Sequence, residues 1–132
     1  MPSSQSLPID PQQAATLLLP SLVQFAESGI VSRTLLSTPA LRVVHFSLAS
    51  GQELTEHTSS RRALVQILSG SCEFRFNGAW HTLGVGEFLH MPPNHPHAVL
   101  AGHTPCAFLL VLHDGGGAAP LAATGSASEA NA

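Results

Sequence analysis

The chain has 132 residues, 10% of them charged, and a net charge of −3 with histidine counted as neutral. That length holds one domain with a substantial apolar core, and so few basic residues exclude a surface that tracks a phosphate backbone, so no nucleic acid partner is expected. The opening residues, MPSSQSLPID, carry neither a basic stretch nor an apolar core, and no later apolar run reaches bilayer length, which predicts a cytoplasmic protein without membrane contact.

Residues 1–30 are expected to form a short N-terminal helical extension. Asp10 is placed to cap it and Pro11 suits the first helical position, while Pro20 interrupts the pattern, so two short helical turns or one kinked helix are expected. Leu17, Leu18, Leu22, Val23 and Phe25 recur at roughly helical spacing, which predicts packing on the outside of a sheet or on a second subunit.

From Val31 onward β-branched and aromatic residues come in short runs divided by Gly, Pro and Ser, the pattern of strands. Strands are predicted over 32–36, 41–49, 54–58, 63–68, 72–76, 79–83, 87–91, 96–101 and 106–112. The sharpest signal is CEFRF-NG-AWHTL, in which Cys72, Phe74 and Phe76 alternate with Glu73 and Arg75 up to Asn77-Gly78. An Asn-Gly pair takes positive φ at both positions, so this is a tight hairpin. Trp80 and the phenylalanines at 74, 76, 88 and 108 are expected in the core or at a subunit contact. Cys72 and Cys106 stand alone in their sequence neighbourhoods and read as buried, reduced thiols. The barrel is expected to span 31–113, and the small, polar stretch 114–132 to be a disordered tail.

Histidine occurs eight times, and two of the eight have informative surroundings. One stretch runs Gly51-QELTE-His57-T-Ser59-SRR-Ala63-LVQILS-Gly70; the other runs Gly86-EFLHM-Pro92-P-Asn94-HP-His97-AVL-Ala101. Together they resemble the paired motifs of small single-domain cupins, the RmlC-like jelly rolls. Gly51, His57 and Gly70 fall on the first motif, with Ser59 and Ala63 where the family has a second His and a Glu. Gly86, Pro92 and His97 fall on the second, with Asn94 and Ala101 replacing its Gly and Asn. The resemblance covers Val31 to His113 and implies an all-β, double-stranded β-helix (jelly-roll) barrel.

The family's motif positions imply one divalent transition metal, zinc, iron, manganese or nickel, held here by His57 and His97 alone. Such a site generally needs three or more protein ligands, so the motif is degenerate and the alternative is a barrel with no cofactor. His90 would complete the set if its strand turned it inward, His95 lies close enough in sequence to reach the same mouth, and Ser59 would hold a coordinated water. The plainer reading leaves His57 and His97 as interior histidines bonded to each other, to Ser59 or to water.

Two functions follow from this. In the first, the barrel binds a small molecule at His57, Ser59, His90 and His97 and is non-catalytic or sensing. In the second, it is a metal-dependent dioxygenase or isomerase using His57 and His97. No nucleophile-base pair or acid-base carboxylate pair assigns a catalytic residue. The family's habit also implies a homodimer.

Overall fold

The computed structural model describes residues 7–27 and 29–114; the tail expected over 114–132 lies, beyond Asp114, outside them. Nine strands form in the described residues: β1 (Val31–Ser37), β2 (Leu41–Leu48), β3 (Glu53–His57), β4 (Arg62–Ser69), β5 (Ser71–Phe76), β6 (Ala79–Gly84), β7 (Phe88–Met91), β8 (His97–Leu100) and β9 (Cys106–His113). They make two antiparallel sheets, ordered β1-β2-β9-β4-β7 and β3-β8-β5-β6. The nine runs read from the sequence correspond to these nine strands, with ends displaced by at most one residue.

Strand alternation decides which residues fill the space between the sheets. In β4, Ala63, Val65 and Ile67 are buried while Arg62 and Gln66 are exposed. In β7, Leu89 and Met91 point in and Phe88 and His90 point out. Phe108 on β9 stacks on Phe46 of β2 with ring centroids 5.1 Å apart and meets Phe74 of β5 edge-on at 5.3 Å, which joins the two sheets through aromatic contacts. Phe74 and Phe108 are the core residues their alternation implied, whereas Trp80 and Phe88 are exposed, Phe88 by 64%. The β5–β6 hairpin turns through Asn77 at φ 54° and Gly78 at φ 78°, the doubly positive geometry that suits an Asn-Gly pair. Cys72 and Cys106 are buried free thiols.

Among the described residues the N-terminal helical segment is a single 3₁₀ turn, Leu19–Leu22. Pro20 sits at its start, its N-cap Leu18 makes no side-chain cap bond, and the chain is extended again at Val23, so an α-helix has neither a cap nor a run in which to grow. Asp10 does cap, but only a local turn: its Oδ1 accepts the Gln12 N–H at 2.9 Å and its carbonyl accepts the Gln13 N–H. The segment packs on the outer face of the five-stranded sheet. Ile9 N–H donates to the Leu35 carbonyl at 3.0 Å, and Gln24 N–H donates to Ser47 Oγ at 3.1 Å.

Beneath this segment lies His45, 2% exposed, with its Nε2 unpartnered. Burial holds its pKa below the usual 6.5, the nearby Arg33 guanidinium lowers it further, and the Leu19 backbone partly offsets both. The unfolded chain therefore binds a proton near pH 6.5 that the folded chain refuses, so ΔG of unfolding falls as pH drops below about 6.5. Urea midpoints at pH 7.5 and pH 5.5 are expected to differ more for wild type than for His45→Leu. Equal pH sensitivity of the two proteins rejects this assignment.

Candidate functional site

His57 is the last residue of β3 and His97 the first of β8, and the two are register partners across the strand pair. Their rings meet edge to face with centroids 4.3 Å apart. A register shift between Leu54 and His57 lets a strand that alternates regularly up to Leu54 present His57 to the same space as His97. Each Nδ1 lies 2.8 Å from a backbone carbonyl two residues earlier, that of Thr55 for His57 and that of His95 for His97. Two rings are thus held by identical local bonds with their Nε2 atoms left over. Burial pushes the His97 pKa down, and the neighbouring His57 and His95 add to that; the His95 carbonyl and Glu56 oppose it.

Both rings line the mouth of a cavity of ≈ 120 Å³ whose eight other lining residues are all apolar: Phe46, Leu54, Val65, Phe74, Met91, Val99, Phe108 and Leu110. Nothing local in the sequence marks these apolar residues as a site, although the alternation of Ala63, Val65 and Ile67 in β4 already turns Val65 inward.

The other expected site residues lie elsewhere. His90 projects to the outer face, opposite Leu64, where Arg62 Nη1 sits 2.7 Å from its Nε2; Met91, its neighbour, takes the inward position because alternation allows only one of the two. Ser59 does not line the cavity, because β3 ends at His57 and strand alternation stops with it. Its Oγ accepts the Arg61 N–H at 3.1 Å, and its carbonyl accepts the Asn94 N–H. His95 borders a separate outer cleft with Glu56, Arg75 and the Asn77-Gly78 turn. Glu56 is the carboxylate of that cleft, and it faces Arg75 at 3.5 Å across an exposed ion pair, a contact of small energy in water. Ala63 is buried and inward, 2% exposed.

The motif loops keep their backbone form despite the substitutions. Asn94 adopts φ 64°, and asparagine is among the few non-glycine residues that visit this region readily, so the turn expected of a glycine survives. Ala101 is fully buried, and its backbone bonds Gln52 and Gly51. A cupin domain model matches residues 44–112, more than half of the chain. This protein is a cupin. No curated protein matches it. Among solved structures it is similar to a conserved protein of unknown function from Streptococcus pyogenes, with 32% identity, 82% of this chain and 94% of that chain covered, and a TM-score of 0.70. It is also similar to a cupin superfamily protein from Desulfitobacterium hafniense, with 25% identity, coverage of 76% and 92%, and a TM-score of 0.69. A polyketide cyclase from Streptomyces resistomycificus, at 23% identity, coverage of 64% and 65% and a TM-score of 0.60, shares the fold.

The donors of this cupin do not fit a resident transition metal. Two imidazoles converge, but among the described residues no group of three or more His, Cys, Asp or Glu side chains is placed to hold an ion. The candidates for a third ligand lie elsewhere, His90 on the outer face beside Arg62 and His95 at the outer cleft. Two protein ligands leave an ion mostly water-coordinated.

Proposed function

We propose that this cupin binds a small molecule inside the barrel, with His57 and His97 as its polar contacts, in a non-catalytic or sensing role. The observation that carries the reading is the ratio of wall to polar groups: eight apolar residues enclose the cavity and two imidazoles stand at its mouth. Sites for small organic ligands have this make-up, an apolar enclosure with a few placed polar atoms. The competing reading, a metal-dependent dioxygenase or isomerase, draws its support from the 4.3 Å approach of the two rings, and the short donor set weighs against it.

Two measurements separate them. Protein purified without an affinity tag is expected to contain far less than one transition metal per chain; stoichiometric metal overturns the binding reading in favour of the enzyme. Small aromatic probes are expected to shift the amide resonances of the cavity strands in wild type and to leave them unmoved in folded Val65→Phe, whose added ring fills the space. The reading also includes a cytoplasmic homodimer, supported by the exposed Phe88 on the outer face of β7; sedimentation as a monomer alone at micromolar concentration overturns that part.

A further inference from the structure

The hydrogen bonds at the two Nδ1 atoms fix more than ring orientation. A backbone carbonyl only accepts, so the Nδ1 beside each one carries the hydrogen, and in a neutral imidazole the Nε2 then carries a lone pair. Neither Nε2 has a hydrogen-bond partner among the described residues, and that of His97 is still reached by solvent. The cavity mouth therefore offers two acceptors and no donor, and a ligand that bonds there must bring its own hydrogen. Among the described residues the wall contains no guanidinium, ammonium or carboxylate, so a charged ligand group would lose its hydration without gaining an ionic partner. The nearby Arg75 lies in the separate outer cleft, facing Glu56.

Size narrows the class further. An apolar cavity of about 150 Å³ takes up a benzene ring, and this one is ≈ 120 Å³ with an open mouth. A ligand of at most one six-membered ring matches that size, and set against Phe46, Phe74 and Phe108 it would turn its substituent toward the imidazoles. His97 is half-buried and His57 exposed, so a ligand in the cavity competes with less water at the His97 ring than at the His57 ring. We infer that the cavity takes a neutral, single-ring phenol, its hydroxyl donating to Nε2 of His97 and its ring lying against the aromatic side chains. This rests on the small-molecule reading above.

The test is a series of four one-ring probes titrated at pH 7.5 after chelator treatment, with binding read from amide shifts: phenol, anisole, toluene and benzoate. Anisole keeps the oxygen of phenol but cannot donate. Phenol is expected to bind roughly ten-fold more tightly than anisole or toluene, about the value of one well-made hydrogen bond, and benzoate most weakly. In His97→Phe, checked for native dispersion of its spectrum, the preference for phenol over anisole is expected to vanish. In His103→Phe, at an exposed histidine that does not line the cavity, it should remain. If anisole and toluene bind as tightly as phenol, the small-molecule reading stands and the donor assignment is overturned. A preference for benzoate also overturns the assignment. If no ring enters the barrel, both fall.

Discussion

Replacing Gly70 with alanine is expected to lower the unfolding free energy by about 3 kcal/mol, with a fall in Tm of roughly 12–24 °C. Gly70 closes the first motif between β4 and β5 at φ 66°, a region in which a Cβ is strained. Strain alone costs about 1–2 kcal/mol, and the surroundings add to it. A Cβ built there would press into the Pro105 carbonyl oxygen and lie 3.3 Å from Cys106 Cα. Both are backbone atoms at the start of β9, which lies between β2 and β4, so neither can give without moving a central strand. Gly51 and Gly78 share the positive φ, but a Cβ at either meets nothing within 4 Å. Alanine at those two positions should cost only the strain. Thermal unfolding of the three variants measures the difference; a Gly70→Ala loss no larger than that of Gly51→Ala rejects the close-approach argument.

The barrel was legible because its signals are local. Alternation in CEFRF and the Asn-Gly pair act within a few residues, and β5, β6 and their turn form where those signals lie. The paired motifs likewise mark turns, and His57 and His97 meet because both motifs place them at strand ends that pair. The departures have equally physical causes. Apolar spacing at Leu17, Leu18 and Leu22 resembles a helix, yet Pro20 and the missing cap leave one 3₁₀ turn among the described residues; Leu17 and Leu22 are half-buried there and Leu18 stays 73% exposed. His90 and Met91 are adjacent, and the sequence does not say which one the pleat turns inward until the register with β4 is known. Ser59 is two residues from His57, but alternation holds only inside a strand, and β3 has ended.

The cavity wall was the least legible part of the site, because its residues look like any core. Phe46, Phe74 and Phe108 come from β2, β5 and β9 and are far apart in sequence; only the two-sheet topology brings them round one space. The polar half of the site is local, two histidines each bonded to a carbonyl two residues back. The apolar half is entirely long-range. A motif scan thus finds the contacts that orient a ligand and misses the surfaces that set its size.

Phe108→Ala is expected to join these two halves in one measurement. Phe108 is 2% exposed, stacks on Phe46 and meets Phe74, and stands opposite Phe46 and Ile67 in the register of β9 with β2 and β4. Removing a buried phenylalanine ring costs about 3–5 kcal/mol through lost transfer energy and the void left behind. That is a large share of the roughly 5–15 kcal/mol that stabilises a domain. The void opens into the existing ≈ 120 Å³ cavity, since Phe108 lines it, so the enlarged space suits two fused rings where wild type suits one. A two-ring phenol such as 2-naphthol should then bind the variant more tightly than wild type and return part of the lost stability in proportion to its occupancy. Urea unfolding with and without the probe reads both effects. An unfolding free energy within about 1 kcal/mol of wild type would mean that Phe108 is not the keystone of the aromatic contacts, and a destabilised variant that 2-naphthol does not rescue would mean that the void collapses instead of joining the cavity.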